Sequence, residues 1–195
     1  KNYLTMLWLI IAVLSYFFWA FVSTTDKYLL MGRIPNPKVY SFYVGALGIL
    51  ALVLIPLVGF SIPEPFQITL SLLSGAIYIL AAFSFYNALR LFEVSRIIPA
   101  IGGLLPLFTF GLIYFFSQGK EVLTSTGFVA FILLISGSIL ITIEKTKFVT
   151  IKSLWLAALA ALLFSLSFVL ARYVYSVQPF WTGFIWMRIG GFLVA

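Results

Sequence analysis

Arg188 has the most to explain. It sits about nine residues after Pro179, in an otherwise apolar run, Phe180-Trp-Thr-Gly-Phe-Ile-Trp-Met-Arg-Ile-Gly-Gly-Phe-Leu-Val194. A guanidinium stays charged and offers five donors in a fixed fork. If the helix starts at Pro179, Arg188 lies near mid-membrane, where insertion scales charge about 2.5–3.5 kcal/mol for a cation. That reading makes it a site for an anionic solute group or for a carboxylate. The competing reading starts the helix near Gly183 and lets the side chain snorkel to the interface.

Arg96-Ile-Ile-Pro-Ala-Ile-Gly-Gly-Leu-Leu-Pro-Leu-Phe-Thr-Phe110 raises a different question. Pro99 and Pro106 each remove a backbone donor and press on the carbonyl four residues earlier, at Ser95 and Gly102. Hydrocarbon tolerates such a break only where protein or a water-filled cavity serves the freed groups. This segment is therefore expected inside the protein, lining a cavity or kinked against a neighbour. Gly102 and Gly103 would allow another helix to come close.

Ser71, Ser74, Tyr78 and Phe85 share one helical face at i, i+3, i+7 and i+14. They could present hydroxyls and a ring to a substrate, or hydrogen-bond a neighbouring helix. Tyr16 and Trp19 could wall a cavity by stacking, or face the membrane interface. Ala157, Ala161 and Ser165 recur every four residues, a ridge for tight helix packing. The acids Asp26, Glu64, Glu93, Glu121 and Glu144 all fall at or near the ends of apolar runs, so no carboxylate proton relay is visible.

The elements that must position these residues follow from composition. The chain is 63% hydrophobic and 9% charged, with mean hydropathy +1.17. A soluble domain carries about a quarter charged residues. Aromatic content of 18% suits interface anchoring. Cysteine and histidine are both absent, which excludes disulfides, thiol nucleophiles, haem and histidine-based metal sites. No cofactor, metal or catalytic group is expected. The net charge of +7 falls at the ends of apolar runs, where it suits topology and anionic lipid rather than nucleic acid.

A span needs roughly 20 apolar residues. Seven fit, at about 4–24, 39–60, 66–89, 96–117, 124–143, 153–173 and 179–195. The fold class is thus all-α, a polytopic helical membrane protein. Residue 1 is Lys and no polar flank follows the seventh span, so the chain is expected to be part of a longer one.

Two stretches echo each other. Leu7-Trp-Leu9 and Phe21-Val22 match Leu154-Trp-Leu156 and Phe168-Val169 in spacing. Asn36-Pro37 and Gln178-Pro179 follow them, and then Phe42 and Gly48 against Phe184 and Gly190. Arg188 has no counterpart charge, since Ala46 takes its place. An echo after five spans implies inverted copies, because five is odd, and inverted repeats bind substrate near the midplane where the copies meet. The copies would be 1–146, and 147–195 as the start of the second, giving ten spans when complete. The first, third and fifth loops hold Lys27, Arg33, Lys38, Arg90, Arg96, Lys145, Lys147 and Lys152, against Lys1, Lys120 and Arg172 elsewhere. The positive-inside rule then puts the odd loops in the cytoplasm and the amino end outside.

Ser84-Phe-Tyr-Asn-Ala-Leu-Arg90, the turn at Val94-Ser95, Pro106 in mid-span, Gly119-Lys-Glu121, Gly127 and Ser136-Gly137 together resemble the EamA domain of the drug/metabolite transporter superfamily. The match is clearest over about 84–145 and weaker over 7–60 and 153–195, where Trp19-Ala20 stands for the family's Trp-small pair. Ala20 replaces a frequent Gly, and Lys120 separates Gly119 from Glu121. The resemblance implies ten spans with both ends in the cytoplasm, opposite to the charge count, so orientation stays open. It also implies an Arg in the helix of Arg188.

The function expected is secondary transport of a small organic metabolite or drug-like solute by alternating access, at the cell membrane, with lipids as the other partner. Few charges line the spans, which favours an uncharged, amphipathic or weakly anionic solute. The alternative is a non-transporting membrane scaffold or assembly protein. An intramembrane enzyme would need paired catalytic groups at depth, and the spans offer none. Cavity candidates are Tyr16, Trp19, Ser71, Ser74, Tyr78, Pro99, Gly102, Gly103, Pro106 and Arg188.

Overall fold

Apolar runs of this length satisfy their backbone groups most simply as helices. A computed structural model describes residues 2–120, 123–142 and 151–195, and among these every regular element is helical. The order is α1 (Asn2–Met31), α2 (Pro37–Gly48), a 3-10 segment (Ile49–Leu54), α3 (Ile55–Val58), α4 (Pro65–Leu91), α5 (Val94–Phe116), α6 (Ser125–Thr142), α7 (Ile151–Val177) and α8 (Phe180–Val194). Five stretches are long and apolar enough to cross a membrane: Leu7–Met31, Pro37–Val58, Pro65–Leu91, Val94–Phe116 and Leu154–Val177. Ser125–Gly137 and Phe180–Val194 are shorter apolar helices. Glu121, Glu144, Lys145, Lys147 and the boundary expected at 146/147 lie outside the described residues.

Local signals explain the ends. Asn36 caps α2 by accepting from the Lys38 N–H at 3.0 Å, with Pro37 in the first turn. Gln118 and Gly119 close α5 at positive φ, and the Gly119 N–H reaches back to the Tyr114 carbonyl at 2.9 Å. The second span departs from expectation. It tightens into 3-10 geometry between α2 and α3, just ahead of Pro56, which cannot donate to the carbonyl four residues back.

α4 is the hub. It packs against α7 and α8, and also against α2 and α1; α5 packs on α7 and α6. The share of α4's apolar stretch that is buried is 44%, against 6% for α1. Small residues permit this. Ser71, Ser74, Gly75, Ala81, Ala82 and Ala88 of α4 are buried, as are Ala157, Ala160, Ala161, Ser165, Ser167 and Ala171 of α7. The ridge at Ala157, Ala161 and Ser165 thus lies in the contact. α4 and α8 meet through backbone: a Cβ on Gly75 would strike the Met187 carbonyl, and one on Gly190 would strike that of Leu72.

α1 runs to Met31, past the end expected near residue 24. Only its last turns dock. Ser23, Asp26 and Leu30 are buried and Lys27 is half-buried, a stripe at i, i+3, i+4 and i+7. From Leu7 to Val22 the helix presents mostly apolar side chains outward.

Candidate functional site

α8 begins at Phe180, so Arg188 stands two turns and more inside it, roughly 12 Å along the axis. The later helix start near Gly183 is not what forms. Phe180, Phe184 and Arg188 share a face at i, i+4 and i+8, and Tyr175 from α7 extends the row. Tyr175 stacks on Phe180 (centroids 5.1 Å apart, planes at 27°) and Phe180 stacks on Phe184 (5.8 Å, 15°). The Arg188 guanidinium carbon lies 4.8 Å from the Phe184 ring centre, a cation–π contact. Among the described residues no carboxylate pairs with Arg188.

This row borders a cavity of about 210 Å³ between α2, α4, α7 and α8. Tyr78, Phe168, Tyr175 and Phe184 supply aromatic walls, Arg188 the charge. Gly48 leaves room over the arginine stem, for a Cβ there would lie 3.4 Å from Arg188 Cδ. Tyr78 is held edge-on to Phe164 at 5.5 Å (66°). Among the described residues the polar side chains on its wall are the Arg188 guanidinium, the Tyr78 and Tyr175 hydroxyls, and the Ser167 hydroxyl, which donates to the Ser74 carbonyl.

The candidates named from sequence divide sharply. Tyr78 and Arg188 line this cavity together. Ser71 and Ser74 do not. Both are fully buried in helix contacts: Ser71 donates to the Gln67 carbonyl at 2.8 Å and accepts from Gln178 Nε2 at 3.0 Å. Ser74 donates to the Ser167 carbonyl at 3.0 Å, and Ser167 returns a bond to the Ser74 carbonyl at 2.9 Å. A hydroxyl away from water takes the nearest carbonyl, which the close α4–α7 approach provides.

Tyr16 and Trp19 are 68% and 44% exposed, one to two turns before the stripe by which α1 docks, and pair with each other at 6.3 Å; they are not among the residues lining the cavity. The α5 residues Pro99, Gly102, Gly103 and Pro106 also lie away from it. α5 is nonetheless shielded on one side: Ile97, Ile101 and Gly103 are buried. The carbonyl that receives an outside donor is Leu105, from Ser165 Oγ at 2.9 Å, rather than the expected Gly102. Thr109 Oγ1 donates to the same Ser165 oxygen at 3.0 Å, which completes a polar bridge beside Pro106. Gly102 faces open space, where a Cβ would meet nothing within 4 Å.

A second polar cluster escaped the sequence reading. Asp26 is 8% exposed, and its carboxylate accepts from the Tyr40 hydroxyl at 2.5 Å. Tyr86 packs edge-on against Tyr40 at 4.7 Å (73°). Next door, Lys27 Nζ donates to the carbonyls of Leu89 at 2.5 Å and Phe92 at 2.8 Å, with Arg90 at 3.4 Å. An ammonium thus caps the carboxyl end of α4, where the helix dipole favours a cation. The signal was present: Ser23, Asp26, Lys27 and Leu30 have helical spacing. It was hidden because the first apolar run ends before them.

No protein-family model, no curated protein and no solved structure matches this chain.

Proposed function

We propose that the chain is a membrane transporter, and that the cavity between α2, α4, α7 and α8 is where a small organic solute binds. The observation that carries this reading is Arg188. A cation set deep in an apolar helix, beside a cavity and against a ring rather than a carboxylate among the described residues, has a desolvation cost with no visible structural return. A solute would supply the return. The site's position also suits the reading. It lies where α2 and α8 meet, the two helices that the internal echo pairs, and inverted repeats bind solute at such a meeting point. The EamA-like pattern of residues 84–145 supports the same class, with the plasma membrane as its place and 1–146 as one repeat.

A scaffold role is the second reading, favoured by the outward apolar face of α1. The two differ in whether the cavity opens to water. The chain has no cysteine, so Ala171→Cys in the full chain gives a single reporter on the cavity wall. Reconstituted protein is treated with a membrane-impermeant maleimide from each side in turn. Transport predicts labelling from both sides and uptake of at least one solute from a panel of organic acids, amines and alcohols. A scaffold predicts a thiol sealed from both sides and no uptake.

A further inference from the structure

We propose that the solute is an aromatic monocarboxylic acid without an amino group, bound with its carboxylate on Arg188 and its ring between Phe184, Phe168 and Tyr78. This rests on the reading of the cavity as a solute site and names what that site takes.

The charge follows from the count of ions. Among the described residues Arg188 is the only cation or anion on the cavity wall. Its guanidinium meets the Phe184 ring and no carboxylate among the described residues. One fixed fork matches one carboxylate in a two-point contact. A dianion such as a phosphate monoester would bring a second charge with nothing to meet it. An amine would face a like charge, which suppresses binding. An amino acid would place its ammonium where no acid stands among the described residues, Asp26 being bound in the Tyr40 cluster instead.

The body of the ligand follows from the walls. Four of the residues around the cavity are aromatic, against few spare hydrogen-bonding groups. Ser167, the hydroxyl on the α7 side, is already committed to the Ser74 carbonyl. A sugar would find no partners for its hydroxyls, and burying them unpaired is costly. A flat ring fills the slot instead, by offset or edge-on contact with Phe184, Phe168 and Tyr78. At about 210 Å³ the cavity falls below the usual range for drug-sized ligands, about 300–1,000 Å³, so it suits one ring system with a short arm.

The test uses four compounds with the same ring: phenylacetate, 2-phenylethanol, 2-phenylethylamine and phenylalanine. Binding to the full chain in lipid nanodiscs is measured by calorimetry. Phenylacetate should bind roughly 10- to 100-fold more tightly than the alcohol, the scale of one charge-assisted contact, and the amine and the amino acid more weakly than the alcohol. Arg188→Gln should bring the ratio of acid to alcohol affinity down to about one. The wild-type comparison needs no variant, so a misfolded mutant leaves the test intact. Equal binding of acid and alcohol, tighter binding of phenylalanine, or no binding by any of the four overturns the assignment of solute class. The maleimide experiment stays separate: two-sided access with the wrong ligand preference leaves transport standing, whereas a sealed cavity removes both.

Discussion

Lys27→Met should detach the first helix from the bundle. α1 is held by one stripe, Ser23 to Leu30, and within it Lys27 carries the direct polar link to α4. Methionine keeps much of the stem's length and apolar packing but loses the ammonium. Two bonds to the Leu89 and Phe92 carbonyls are short enough to count, and the Arg90 contact at 3.4 Å adds little. A hydrogen bond with an ionised donor contributes about 1.5–3 kcal/mol. The two share one donor group that is partly open to solvent, so a value at or just below the low end of their sum, about 2–3 kcal/mol, is the expectation. That corresponds to roughly 30- to 150-fold in the docking equilibrium of α1, at about 1.4 kcal/mol per tenfold. The assay is amide hydrogen exchange in nanodiscs. Residues 23–31 and 86–91 should exchange faster in the variant, while α7 and α8 keep their protection. Lys27→Arg should recover part of the loss, since a guanidinium can still donate to the α4 carbonyls. If Lys27→Met leaves exchange in both segments unchanged, the ammonium is a surface charge and α1 is held by packing and the Asp26–Tyr40 bond.

Further substitutions check other positions. Gly190→Ala should lower the detergent melting temperature, because its Cβ meets the Leu72 backbone and overpacking costs about 1–3 kcal/mol; Gly102→Ala, facing open space, should be neutral or stabilise by up to about 1 kcal/mol. Tyr40→Phe removes the donor to Asp26 and should cost about 1–3 kcal/mol in chemical denaturation, the penalty for a buried acceptor left without its bond; an unchanged midpoint would mean water replaces it. Ser165→Ala should cost about 0.6–2 kcal/mol by the same measurement, through the lost bridge to Leu105 and Thr109, and Tyr16→Phe should leave ligand binding unaltered.

Hydropathy located the seven helices to within a few residues at most ends, since moving an apolar segment out of water forces its backbone to bond within itself. The Ala157, Ala161, Ser165 ridge was equally legible, because small residues at four-residue spacing have one main use between helices. Helix rotation was not legible. A helix apolar on all sides carries little record of which face meets protein, so Ser71 and Ser74 suited either a solute or a neighbouring helix until α7 and the adjoining Gln178 took them. Pro99 and Pro106 announced a shielded helix, but which neighbour shields it depends on packing across the bundle: Ser165, roughly 60 residues on, reaches the Leu105 carbonyl. Asp26 and Lys27 read as ends of a span because charge usually marks such ends. Tyr40 and the carboxyl terminus of α4 supply the partners that let the helix continue through them, and those partners come together only when the chain is folded. Arg188 belongs to both levels: its depth follows from the apolar run around it, whereas its contact with the Phe184 ring and with no carboxylate among the described residues is decided by packing.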